Sequence, residues 1–282
     1  MNITELMSLF FTHKDFLPAA GDLPGTLFTP LHFAVSALFL AVVIFAGLYV
    51  AKKDEKTIRR VFLALWIVLI IWEPAKIIWE SVGGKTVSFE AGGILPLYPC
   101  SIFLYALPLA IWGNEKVRYM GCGYTCSLGL LGGAINFFYP ANVLSNYSCI
   151  SFAGFHTLSY HGAIVFCALV MLRSGYHSYT KAEKLSHLLL PAVPALAVSV
   201  IANAVNFSAI DSDYMFFKLE SFFFAPLGAA TPDLLSVVFV YIIYLVIHSL
   251  PYLPAYIKNT RKNLSLQREG NDSGEYLSSF PD

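Results

Sequence analysis

Charge is scarce in this chain. Asp, Glu, Lys and Arg make up 13% of its 282 residues, against 57% apolar residues and a mean hydropathy of +0.64. Soluble domains carry about 25% charged and about 45–50% apolar residues, so the composition excludes a water-facing globule and indicates an integral membrane protein. Net charge is zero, which leaves no basic surface for nucleic acid. Cysteines are few and odd in number: of the five, Cys100, Cys122, Cys126 and Cys167 lie within apolar stretches, which excludes a disulfide framework. Residues 1–25 lack the basic start of a cleaved signal and contain Glu5 and Asp15, so they read as retained. No internal repeat of the kind that builds inverted-repeat transporters is visible.

Apolar length is what the chain has in abundance. Seven stretches, near 28–50, 61–79, 94–112, 117–139, 150–172, 185–208 and 232–256, each approach the roughly 20 residues a spanning helix needs. The expected fold is all-α, a seven-helix transmembrane bundle over 26–257. Residues 1–25 form an interfacial segment in which Ile3, Leu6 and Phe10 recur at helical spacing. The polar tail, 258–282, is expected to lack fixed structure. Basic residues set the orientation. Lys52, Lys53, Lys56, Arg59, Arg60, Lys116, Arg118, Arg173, Lys181, Lys184, Lys258, Arg261, Lys262 and Arg268 fall on one side, and only Lys14, Lys85 and Lys218 on the other. The positive-inside rule then puts the N-terminus outside and the tail in the cytoplasm.

With topology assigned, each polar residue acquires a depth at about 1.5 Å per residue. Cys100, His161, Glu73, Asn136, Asn203 and Asn206 all fall in the outer half of the expected bundle, while the inner halves are plain Leu, Val, Ile and Phe. Ionisable groups at such depth face a bundle interior or a watery cavity and mark function. Glu73 has a local alternative in an ion pair with Lys76, three residues on. His32 reads as interfacial and His248 as structural. His156 and His161 lie about 140° apart on a helix and do not share a face; His161 is the deeper. Cys122 and Cys126 share a face and have the donor type of a zinc site, but their glycine neighbours favour close helix packing, so no metal or cofactor is expected.

Cys100 sits in the run Leu95-Pro96-Leu97-Tyr98-Pro99-Cys100-Ser101. Each proline removes a backbone donor, and in lipid the released carbonyls need other partners, so such a break belongs beside a cavity. A thiol with a free pKa near about 8.5 becomes nucleophilic when a neighbouring imidazole takes its proton. Asn136, Asn203 or Asn206 are candidates to orient that imidazole or to donate to a developing oxyanion. The chemistry such a pair suits, at the depth where glycerolipid esters begin, is acyl transfer; a buried cysteine with a packing role is the simpler reading of the same residue.

The proline–cysteine run, the glycine-rich stretch Gly129–Pro140 and the His161-Gly162 pair sixty residues on resemble the YwaF-type bacterial integral membrane proteins and their eukaryotic relatives, the transmembrane protein 164 acyltransferases. The resemblance covers roughly 60–250. It implies a cysteine that carries an acyl group from a phospholipid to a lyso-ether phospholipid with a histidine assisting, which puts the nucleophile on Cys100 and the base on His161. The family's Asn-Tyr-Met motif is met here by Asp213-Tyr214-Met215. The implied partners are phospholipid and lysophospholipid in a bacterial cytoplasmic membrane, with no obligate protein partner. A second reading is a transporter in which Glu73, His161 and Asp213 bind a substrate or coupling ion.

Overall fold

The computed structural model describes residues 9–87, 95–207, 213–217 and 234–277. Ile3 and Leu6 of the expected interfacial segment lie outside the described residues, as do residues 94, 208 and 232–233 at the ends of expected spans. The described residues are helical, with no strand among them. Helix α1, Pro30–Val50, starts with proline in its first turn and with the Thr29 hydroxyl accepting the His32 N–H at 3.3 Å, the usual way to satisfy an orphan amide at a helix start. Helix α2, Glu55–Val82, runs through Pro74.

The third expected span is not a continuous helix. Residues 95–99 are irregular, and helix begins only at the 3-10 turn Cys100–Ile102, which leads into α3, Phe103–Trp112. Pro96 and Pro99 cause this, since neither can donate to a helical carbonyl. The fourth expected span is α4, Glu115–Tyr124, a π turn over Thr125–Gly129, and α5, Leu130–Phe138. Side chains take up carbonyls around the π turn: Thr125 Oγ1 donates to Gly121 O at 2.9 Å, Ser127 Oγ to Gly123 O at 2.6 Å, and the Tyr179 hydroxyl to Cys126 O. These local bonds compete with the α-helical ladder and favour the extra residue.

Helix α6, Phe152–Arg173, is capped by Ser151, whose hydroxyl accepts the Gly154 N–H at 3.1 Å. It packs against α1, α2 and α5. Its apolar window is 78% buried, against 11% for α1 and for α2, so α6 is the central post and the two early helices leave most of their surface free. Next come α7, Leu185–Leu189, a turn at Leu190–Ala192, and α8, Val193–Asn206. The chain ends in α9, Leu234–Ser249, and α10, Leu253–Leu277. Among the described residues, four helical runs are long and apolar enough to cross a membrane (α1, α2, α6 and α7 through α8), or five if the pair Ser236–Ser249 and Leu253–Leu266, bent by 65°, is one broken span. Pro251 falls in that break.

The tail differs from its composition: helix continues to Leu277. One anchor is Asn259, whose Nδ2 donates to Thr180 O at 3.3 Å and Ala182 O at 3.1 Å. Glycine sets one close crossing: a Cβ on Gly121 would come within 2.6 Å of the Ala110 amide nitrogen and closer still to Ala106 O, so α4 lies directly on the α3 backbone.

Candidate functional site in the helix core

The chain around Cys100 is held by tyrosines. The Tyr124 hydroxyl donates to Pro99 O, Tyr160 Oη lies 3.5 Å from Cys100 O, and Tyr214 Oη accepts the Leu95 N–H at 3.1 Å. Backbone groups of this non-helical run thus find side-chain partners, as a break inside an apolar bundle demands. Cys100 is reduced, and its Sγ lies 3.7 Å from the position a Cβ would take on Gly132. On the next residue, a Gly133 Cβ would lie 3.2 Å from His161 O. Of two adjacent glycines of α5, Gly132 therefore meets the Cys100 sulfur at ordinary contact distance, and Gly133 lies so close to the His161 turn of α6 that a side chain there would be tight.

His161 is buried, and its two nitrogens have different environments. Nδ1 lies 2.8 Å from the Thr157 carbonyl oxygen and 3.3 Å from the Thr157 hydroxyl. That hydroxyl donates onward to Asn136 Oδ1 at 3.2 Å. A carbonyl only accepts, so Nδ1 carries the proton and Nε2 holds the lone pair. Nε2 is buried with no hydrogen-bond partner among the described residues, so no direct hydrogen bond joins it to Cys100. The arrangement is an oriented base: one nitrogen fixed to the backbone, the other open.

Asn136 is the one predicted asparagine that reaches this network. Asn203 instead donates to the Tyr241 hydroxyl at 3.4 Å. Asn206 clamps Tyr214, accepting its N–H at 2.9 Å and donating to its carbonyl at 2.8 Å. Asp213 precedes the turn Tyr214–Phe216, where Met215 and Phe216 have φ of 60° and 58°, a left-handed conformation that non-glycine residues adopt at a cost. Asn206 thus supports the Leu95–Pro99 run through Tyr214.

Glu73 does not pair with Lys76; Lys76 bonds to Glu80, one turn on. Glu73 Oε2 lies 3.2 Å from His156 Nε2, at ion-pair distance but not aligned as a hydrogen bond. Beside it opens a cleft of about 700 Å³ between α2 and α3, walled by Trp66, Ile70, Glu73, Leu104, Tyr105 and Pro108 among others. His32, expected at the interface, is fully enclosed and accepts the Phe28 N–H on Nδ1 at 3.3 Å. His248 is also enclosed, with Nδ1 2.5 Å from Ser127 Oγ on the π turn. Cys122 and Cys126 are buried, Cys126 Sγ lying 3.9 Å from Met171 Sδ, and among the described residues no group of three metal-ligating side chains forms.

A family model, described as the TMEM164 family, matches residues 27–260. The chain belongs to the TMEM164 family. Membership and the apolar helices together make it a membrane protein. The matched region of this family member includes every residue discussed above from Glu73 to Asp213. No curated protein and no solved structure matches the chain. Thr157, Tyr124 and Tyr160 were missed by sequence reasoning. Thr157 lies one turn before His161 and was open to an i, i+4 search for an imidazole partner; the tyrosines carried no local signal.

Proposed function

We propose that this family member is a membrane-embedded lipid acyltransferase in which Cys100 carries the acyl group and His161 is its base. The observation that supports this best is the state of His161: Nδ1 is committed to Thr157 O at 2.8 Å, and Nε2 is an unpartnered lone pair in a buried site. In the first half-reaction Nε2 takes the Cys100 thiol proton, the sulfur attacks the ester carbonyl of a phospholipid, and the acyl–oxygen bond breaks. The leaving alkoxide takes the proton back from Nε2, giving a lysophospholipid and a thioester on Cys100. In the second half, the hydroxyl of a lysophospholipid attacks the thioester and releases the thiol. In this reading a hydrogen bond between Nε2 and the thiol forms only when substrate fills the site, as catalytic contacts often do.

The finer topology belongs to the same proposal: seven crossings, N-terminus outside and tail cytoplasmic, with the π-interrupted α4–α5 run and the broken third segment each counted as a crossing. Within the family, the proline–cysteine run supports a YwaF-type bacterial member in the cytoplasmic membrane. The test is transfer of a labelled acyl chain between phospholipid and lysophospholipid in reconstituted vesicles. Cys100→Ser is expected to abolish both transfer and a hydroxylamine-labile acyl label on the protein. Equal activity in Cys100→Ser and wild type rejects the reading.

A further inference from the structure

Glu73 is a carboxylate in an apolar wall, and among the described residues it forms no ion pair with a lysine or arginine. Lys76, the nearest candidate on its own helix, is bound to Glu80. Its neighbour across the helix interface is His156, whose side chain is 8% exposed while that of Glu73 is 20% exposed. A carboxylate at this depth is costly unless a proton donor meets it.

The cleft beside Glu73 is asymmetric in hydrogen bonding. On the α3 wall, Pro108 releases the Leu104 carbonyl, but the Trp66 indole N–H takes it at 2.9 Å. On the α2 wall, Pro74 deprives the Ile70 carbonyl of its helical amide donor, and Ile70 lines the cleft together with Glu73. That wall offers acceptors and asks for a donor. The remaining lining is largely Ile, Leu, Pro and aromatic rings, and about 700 Å³ lies within the range of small-ligand sites. The occupant that meets both demands is a single-chain amphiphile with a free hydroxyl: the chain fills the apolar walls and the hydroxyl donates to Glu73. The cleft also borders the segment that carries the nucleophile, since Pro96 and Leu104 in its wall are four residues before and after Cys100.

Two bases therefore stand at two depths on α6. His161 is enclosed, its Nε2 unpartnered; His156 is five residues earlier, about 7.5 Å along the axis, and faces Glu73. We propose that Glu73 and His156 form a second acid–base pair dedicated to the acyl acceptor, which enters through the α2–α3 cleft, while His161 serves the acyl donor. This rests on the acyl-Cys100 reading. In the acceptor half, the hydroxyl proton passes to the Glu73 carboxylate with His156 beside it. The oxygen forms a bond to the thioester carbonyl carbon, and the carbon–sulfur bond breaks. The Cys100 thiolate leaves with the electron pair and recovers a proton from the Glu73–His156 pair, so protons balance over the cycle.

The two half-reactions separate the roles. The full-length protein is reconstituted in phosphatidylcholine vesicles with a labelled acyl chain. Acyl-Cys100 is followed by its hydroxylamine lability, and transfer is followed with added lysophosphatidylcholine. Glu73→Gln, nearly isosteric, is expected to form the thioester and accumulate it while transfer falls about 10²-fold or more, the scale of a lost general base. His156→Gln is expected to act in the same direction, and Glu73→Asp to recover part of the transfer. His161→Ala is expected to form no thioester. Ile77→Trp, which narrows the cleft from its lining, is expected to raise the acceptor KM and leave thioester formation as in wild type, a readout that survives if Glu73 variants fold poorly. Transfer at the wild-type rate in Glu73→Gln, or equal loss of both halves in Glu73→Gln and in Ile77→Trp, overturns the assignment. Absence of acyl-Cys100 in wild type overturns the acyltransferase reading itself, and the second pair with it.

Discussion

The clamp on Tyr214 offers a test that needs no substrate. Asn206 is buried and makes two hydrogen bonds to one residue, accepting the Tyr214 N–H at 2.9 Å and donating to its carbonyl at 2.8 Å. Tyr214 is fully buried, so water does not replace an amide group removed from position 206. Each buried polar group left unpaired costs about 1–3 kcal/mol, so Asn206→Ala is expected to destabilise the fold by about 2–6 kcal/mol. For a chain of this size, each kcal/mol lowers Tm by about 2–4 °C. Asn206→Asp keeps the acceptor for the Tyr214 N–H and loses the donor to its carbonyl, so roughly half of the loss is expected. There is a second consequence at a distance. Tyr214 Oη accepts the Leu95 N–H at 3.1 Å, five residues before Cys100, so loosening Tyr214 frees the run that buries the thiol. Thermal unfolding in detergent, followed by tryptophan fluorescence, measures the first effect; the maleimide labelling rate of Cys100, mapped by mass spectrometry, measures the second. An Asn206→Ala protein that unfolds with wild-type Tm and labels at the wild-type rate refutes the clamp.

Other outcomes follow from the same geometry. His161→Ala is expected to lower acyl transfer about 10²- to 10⁴-fold, and the double variant with Cys100→Ser to be no worse than the Cys100→Ser protein, because the two residues act as one unit; additive losses in vesicle transfer rates speak against a pair. Thr157→Val removes the hydroxyl between Asn136 and His161 but spares the backbone bond to Nδ1, so a smaller loss of transfer than in His161→Ala is expected; parity of the two variants contradicts the tautomer assignment. Gly121→Ala drives a methyl into the α3 backbone at Ala106 and Ala110 and is expected to cost about 1–3 kcal/mol, read as a lowered Tm, whereas an unchanged Tm places that crossing wrongly. Reporter fusions in 51–60, 173–184 and 258–268 are expected to report cytoplasm, from the basic residues there; an external reading at 173–184 reverses the depth order of Cys100 and His161.

The parts of the site that were legible in the sequence are those with a local cause. Pro96 and Pro99 announce a broken helix wherever it packs, and Gly121 and Gly133 announce close approach. Pairing was not legible, because it depends on how helices are rotated against each other. Spacing along α2 allowed Glu73–Lys76 and Lys76–Glu80 equally; the choice was made by His156 arriving from α6. The 140° between His156 and His161 correctly separates them, but it did not reveal that the second face would find a carboxylate. Asn203 and Asn206 were expected at the depth of Cys100 and yet bond elsewhere, to Tyr241 and Tyr214, since depth is one coordinate of three. Pairing was equally hidden at the start of the tail: its polar composition carries no packing signal, whereas Asn259 donates to carbonyls 77 and 79 residues back in the chain.

The π turn at Thr125–Gly129 makes the site sensitive to length as well as to side-chain chemistry. An α-helix advances about 100° per residue, and the turn absorbs one residue of angular offset in the middle of the α4–α5 run. Upstream of it, Gly121 and Tyr124 address α3 and the Pro99 carbonyl; downstream, Gly132 meets the Cys100 sulfur and Gly133 the His161 turn. Removing a single residue within the turn restores a regular helix and leaves everything after it near its present orientation, because the turn already absorbs that residue. One residue added or lost elsewhere in the run, with the turn unchanged, swings everything after it by about 100°, so that neighbours with side chains replace Gly132 and Gly133 beside Cys100 and His161. The run is therefore most tolerant of a change in length at the π turn itself.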